Sequence, residues 1–157
     1  MPSNAEPRRV VVGIDGSEHA LRALEWAAGE ARLRHIELRI VTCWSYPAAM
    51  EAIPIAFGGP PEEEFTGEAS KILSTAVAQA GLDAGSGLRW SEEVLCGPPA
   101  TVLIEESERA ELVVVAARGR GGFAGLLLGS VSQQLGAHGH CPVVIVHHAP
   151  DAGSGAD

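Results

Sequence analysis

The residues best suited to chemistry lie in one stretch, Ala116-Ala117-Arg118-Gly119-Arg120-Gly121-Gly122-Phe123-Ala124-Gly125-Leu126-Leu127-Leu128-Gly129-Ser130. Glycines let main-chain N–H groups turn inward, and Gly129-Ser130 opens an expected helix whose first N–H groups and dipole favour an anion. The pattern predicts a phosphate cradle. Its plain alternative is a loop whose glycines only make turns. A lysine-bearing phosphate loop is ruled out, because that motif needs Gly-Lys-Ser/Thr and the single lysine of the chain, Lys71, stands on another element. Nor does Gly13-Ile14-Asp15-Gly16-Ser17 make a dinucleotide fingerprint, since it puts a carboxylate where a pyrophosphate would approach.

Other reactive side chains are less promising. Asp15 and Ser130 each have a second reading as plain helix caps, and capping draws on the same N–H groups as anion binding. His138-Gly139-His140-Cys141 offers imidazole and thiol, but the spacing fits no closed zinc site, and Pro142 before a strand makes a turn the better account. Cys43 has no neighbouring His or Lys in the sequence to lower its pKa, so no nucleophile is expected there. His147-His148 reads as an exposed strand end, and Phe123, Leu126, Leu127 and Leu128 as packing of a connector. No general-base pair or activated nucleophile supports rapid turnover.

The elements that must position these groups alternate. Arg8 to Ile14 is a β-branched run ending in a turn, and from Glu18 the residues Ala20, Leu21, Leu24, Ala27, Ala28 and Ala31 recur at helical spacing. Glu37 to Trp44 is a second strand. Ser45 to Pro61 carries four prolines and Gly58-Gly59, which predicts a long loop. Its apolar residues Tyr46, Met50, Ile53, Ile55 and Phe57 predict a flap near a ligand mouth or a subunit seam, with packing onto a helix as the alternative. Glu62 to Ala80 is a helix with acids in its first turn, Leu88 to Leu95 a third strand, and Pro98-Pro99 opens a further helix. Leu112 to Ala116 is a fourth strand, Ser130 to about His138 a helix, and Val143 to Val146 a last strand. Strands alternating with helices predict an α/β fold with a parallel, Rossmann-like sheet and helices on both faces. Ligands in such folds sit beyond the carboxyl ends of the strands, where strand order reverses.

Composition narrows the partners. At 157 residues the chain fits one domain, with 46% hydrophobic and 20% charged residues. Residues 1–7 and 149–157 read as frayed ends of a domain at 8–148. A formal charge of −9 is the wrong sign for nucleic acid or an anionic membrane. No apolar run nears the ~18 residues of a membrane span, and the N-terminal residues lack a signal peptide, which predicts a cytoplasmic protein. Cys43, Cys96 and Cys141 read as reduced thiols.

Taken together, these motifs resemble the single-domain universal stress proteins of the kind common in actinobacteria. Val11-Val12-Gly13-Ile14-Asp15-Gly16-Ser17 is similar to the first strand and acidic turn of that family, and Val94-Leu95-Cys96-Gly97-Pro98-Pro99 to its third-strand exit. The ATP-binding branch carries Gly, two residues, Gly, nine residues, Gly, then Ser or Thr; Gly119, nine residues and Gly129-Ser130 match, while Ala116 replaces the first glycine. The resemblance implies a five-stranded sheet of the adenine nucleotide alpha-hydrolase type and an ATP site. Gly13 and Ile14 would flank the site, and Asp15 would approach the ribose or a phosphate-bound Mg²⁺. The Cys43 backbone would meet the adenine edge, and Val115 and Ala116 would line the ribose. Gly119, Gly129, Ser130, Val131 and Ser132 would hold the phosphates, with Arg118 adding positive charge. It also implies a homodimer through Val143 to Val146, protein partners that are not identified, and at most slow ATP hydrolysis. Alanine at 116 is expected to weaken binding by about 5- to 150-fold if φ must be positive or a phosphate crowds its Cα, and to be harmless if its methyl points into the core. Two alternatives accompany this reading: an interaction module that has lost ATP, and an adenine-nucleotide hydrolase with further acids or bases near the phosphates.

Overall fold

Short runs rich in Val, Ile and Leu build four strands, the mixed stretch Trp90–Cys96 builds a fifth, and the longer amphipathic stretches between them cover both faces. The computed structural model describes residues 8–51, 62–120 and 125–148. Ile53, Ile55, Phe57, Gly121, Gly122, Phe123, Ala124 and both chain ends lie outside the described residues. In chain order the elements are β1 (Arg9–Gly13), α1 (Glu18–Arg34), β2 (Glu37–Trp44), α2 (Ala48–Glu51), α3 (Glu62–Gln79), β3 (Trp90–Cys96), α4 (Pro99–Ser107), β4 (Leu112–Ala116), α5 (Ser130–His138) and β5 (Val143–Val146).

All pairings are parallel, in the order β3-β2-β1-β4-β5. Alternation along the strands divides the core. Val10, Val12, Leu38, Ile40, Leu112 and Val114 pack beneath α1 and α3, whereas Val11, Val41, Val113 and Val115 pack beneath α4 and α5 with Val102, Leu103 and Leu135. The chain grows outward from β1 through β2 to β3, then returns to β4 on the other side of β1. The covering helices change face at that reversal, as crossovers of one hand require. The order therefore reverses between β1 and β4.

Local chemistry explains most boundaries. Ser17 Oγ accepts the Ala20 N–H at 3.1 Å and caps α1, a role that Asp15 does not take. Two sequence expectations need correction. The stretch expected to be a loop from Ser45 begins with the single turn α2, because Pro47 is tolerated ahead of a helix and its carbonyl accepts the Met50 N–H at 2.8 Å. Tyr46 packs edge-on against Trp44 at 4.9 Å and against Phe65 of α3 at 5.7 Å, so this part of the apolar load is used in packing. The third strand begins at Trp90 rather than Leu88; Gly87 turns the chain with φ 68° and Leu88 is buried before the ladder starts.

Candidate functional site

At the carboxyl ends of β1 and β4 the chain departs in opposite directions, from β1 into α1 on one face and from β4 into the glycine-rich segment and α5 on the other. A cleft of about 280 Å³ opens between them. Gly13, Ile14 and Asp15 line it from the end of β1, Cys43 from β2, and Val115 and Ala116 from β4. Arg118 and Gly119 come from the glycine-rich segment, and Gly129, Ser130, Val131 and Ser132 from the start of α5, so one cleft gathers all twelve residues picked from the sequence. Ala20, Val41, Pro99, Leu103, Ala117 and Arg120 also line it and were missed. Arg120 adjoins Gly119 and was open to inference, whereas Pro99 and Leu103 arrive only through the docking of α4 on the sheet.

One end is apolar. Leu103 lies so close to Gly13 that a β-carbon there would stand 2.6 Å from Leu103 Cδ1, which explains the glycine at the end of β1. Cys43 packs among the residues under α4, where burial, reinforced by the charge of Glu106, pushes its thiol up to about 12. It is a neutral wall group at physiological pH. The ladder continues one residue past β1: the Ile14 N–H donates to Val41 O at 2.9 Å, and the buried Thr42 hydroxyl donates to Ile14 O at 2.9 Å. These bonds fix the residue from which Asp15 reaches the rim.

At the other end lies the start of α5. Gly129 is its N-cap, and the first helical bond runs from the Gln133 N–H to Gly129 O at 3.0 Å. The N–H groups of Ser130, Val131 and Ser132 therefore stand outside the helical ladder, as anion donors must. Ser130 is not the cap. The Ser132 hydroxyl is buried and shared between Ala117 O at 2.9 Å and Gly129 O at 3.0 Å. Ala117 O also accepts the Gly129 N–H at 2.6 Å. Ser132 thus closes the base of the loop with its side chain and has only its main-chain N–H left for a ligand.

Asp15 ties the two halves of the rim together. Oδ1 accepts the Ser17 N–H and Oδ2 the Arg120 N–H, each at 2.9 Å. A β-carbon at Gly119 would lie 2.6 Å from Oδ2, so only glycine admits this approach. Among the described residues lining the cleft, Asp15 is the sole carboxylate; Arg118 and Arg120 also line it.

Ala116 stands between the core and the cleft. Among described non-glycine residues only His35 has positive φ, so Ala116 is an ordinary strand residue, paired with Val146. Its methyl packs against the cluster beneath α1 and α3. The backbone strain that would weaken binding therefore has no source here, while Ala116 is half-buried and still forms part of the cleft wall.

The His138 to Cys141 stretch makes the turn from α5 to β5. The His140 N–H donates to Ser107 Oγ at 2.9 Å and the Cys141 thiol to Pro142 O at 3.4 Å.

Comparison with known proteins agrees on one family. A model of the universal stress protein family matches residues 6–147. Universal stress protein Rv2623 of Mycobacterium tuberculosis (strain H37Rv) is 39% identical over 155 residues, 94% of this chain and 50% of that protein. The chain spans about half the length of the curated relatives it matches. A solved universal stress protein in complex with cAMP is 29% identical with a TM-score of 0.66, over 90% of this chain and 97% of that one. The universal stress protein of Archaeoglobus fulgidus in complex with dAMP is 25% identical with a TM-score of 0.63, over 88% and 96% of the two chains.

Proposed function

Because the chain belongs to the universal stress protein family, we propose that the cleft between β1 and β4 binds an adenine nucleotide, ATP with Mg²⁺, and that the protein serves a stress response through this binding. The observation that carries the reading is the pairing of an apolar end at Val41, Cys43 and Leu103 with a donor-rich end at Ser130, Val131 and Ser132. A flat apolar base and a phosphate chain need that polarity of surface. The cAMP and dAMP complexes of similar proteins support the choice of adenine.

Mg²⁺ takes oxygen ligands and keeps several waters, commonly bound through one carboxylate together with substrate phosphates. A single carboxylate, Asp15, fits such an ion arriving with ATP. Bound there, the ion would offset phosphate charge. Asp15 would hold it while keeping the loop at Arg120 closed.

Hydrolysis is at most slow. The Cys43 thiol is held neutral, and Asp15 would be engaged by the Mg²⁺ that arrives with ATP. A second group to activate water is lacking among the described residues lining the cleft, which argues against the hydrolase alternative. The interaction-module alternative drew its force from Ala116, and the ordinary strand φ there removes the part of it that rested on backbone strain.

We further place the protein in the cytoplasm as a homodimer paired through β5. That strand is an edge, its four residues half-buried, and an unpaired apolar edge invites a copy of itself. Its protein partners are unidentified.

Calorimetric titration with AMP and ATP, each with and without Mg²⁺, tests the nucleotide reading. Binding of both, with ATP gaining from Mg²⁺, is expected; heat-silent mixing with every nucleotide would overturn it.

A further inference from the structure

A second hollow, of about 220 Å³, lies behind the first, between the start of α1 and one stripe of α3. The stripe presents Glu68, Lys71, Thr75 and Gln79 at helical spacing, all exposed. Arg120 belongs to the walls of both hollows. Its guanidinium, however, sits on this side: a β-carbon on Gly16 would lie 2.8 Å from Arg120 Nη2 and 3.3 Å from Ile72 Cγ2 of α3. Gly16 has φ 83° and admits the arginine because it carries no side chain. The only lysine of a chain with net charge −9 therefore lines the same hollow as an arginine folded across the rim. Neither cation has an ion pair among the described residues.

We propose that this hollow is a second anion site, taking a small oxyanion of the phosphate or carboxylate class between Lys71 and Arg120. Two cations face one carboxylate, Glu68, so the balance favours a single negative charge. Thr75 and Gln79 add neutral donors, and neither side chain makes another hydrogen bond among the described residues. Ile72 and Leu21 add apolar wall. The volume leaves room for a group of phosphate size. The site does not depend on the nucleotide reading, because Lys71 lies outside the first cleft.

The test is a titration of the full chain with inorganic phosphate, followed by amide chemical shifts at constant ionic strength, with and without saturating AMP. Saturable shifts at Ser17 and Thr75 that persist with AMP are expected. Lys71→Ala should weaken them at least fivefold and Lys71→Arg restore them, with AMP affinity unchanged in both. Shifts confined to Ser130, Val131 and Ser132, shifts abolished by AMP, or equal phosphate affinity of wild type and Lys71→Ala would overturn the proposal. If AMP itself fails to bind, the nucleotide reading falls while the phosphate arm still decides this one.

Discussion

Asp15 Oδ2 accepts the main-chain N–H of Arg120 at 2.9 Å, across 105 residues of sequence. The bond joins the turn after β1 to the glycine-rich segment after β4, the two edges of the crevice at which strand order reverses. One carboxylate thereby sets the width of the cleft mouth, and its other oxygen holds the Ser17 N–H that leads into α1.

Removing that carboxylate should loosen the mouth more than the fold. Charge-assisted hydrogen bonds are worth about 1.5–3 kcal/mol, so Asp15→Ala should lower MgATP affinity by about tenfold or more. Asp15→Asn keeps one acceptor oxygen and should retain AMP affinity better than MgATP affinity. Calorimetry of the three proteins checks the ordering; identical losses for AMP and MgATP in Asp15→Asn would exclude a role for the charge.

Gly119 and Gly129 are required for different reasons. At 119 a methyl would collide with Asp15 even without ligand, so Gly119→Ala should disturb the free protein, visible as shifted amides at Ser17 and Arg120. At 129, φ is −75° and the nearest atoms to a new methyl stand at 3.5 Å, an ordinary contact. Gly129→Ala should therefore cost within about 1 kcal/mol of stability, as a weaker cap. Gly129→Val should go further and lower nucleotide affinity strongly, by excluding phosphate from the start of α5. Unfolding midpoints beside nucleotide titrations separate the two effects.

Ala116→Gly should leave nucleotide affinity within a factor of two. It should cost about 0.5–1 kcal/mol of stability, because glycine in a strand surrenders more backbone entropy and here also a half-buried methyl. Denaturant unfolding and a MgATP titration of both proteins are sufficient; a tighter-binding glycine variant would show that this methyl crowds the ligand.

Alkali should destabilise the fold through Cys43. Its thiol is raised from 9.0 to about 12 by burial first and by Glu106 second, so the folded protein holds the proton more tightly than the unfolded chain. The resulting stability is complete below pH 9 and is lost as pH climbs towards 12, since the unfolded thiol ionises first. Cys141 is raised by burial in the same direction. Cys43→Ala should flatten the fall in unfolding midpoint between pH 8 and 10.5, and an unchanged slope would assign the effect elsewhere.

Pairing through β5 predicts a dimer in sedimentation equilibrium at micromolar concentration, with or without nucleotide. A monomer whose mass does not change with concentration would remove the strand from consideration as a seam.

Period and punctuation made the alternation of strands and helices legible, because a buried parallel strand must be a short apolar run and its crossover helix must show one apolar face. The donor-rich end of the site was legible for the same local reason: glycines followed by a helix start leave N–H groups unpaired whatever the surroundings. Ala116 was not. Which face of β4 lay under α1, and so which way its methyl leaned, follows from the pairing of β4 with β1, just over a hundred residues earlier in the chain. Asp15 had two local readings, cap or ligand group. Tertiary structure gave it a third, a bond to Arg120, while Ser17 took the cap. The apolar wall at Pro99 and Leu103 and the hollow at Lys71 have no local signal. Each arises where a helix docks across the sheet, and docking is decided by the burial of whole faces rather than by the residues that end up beside one another.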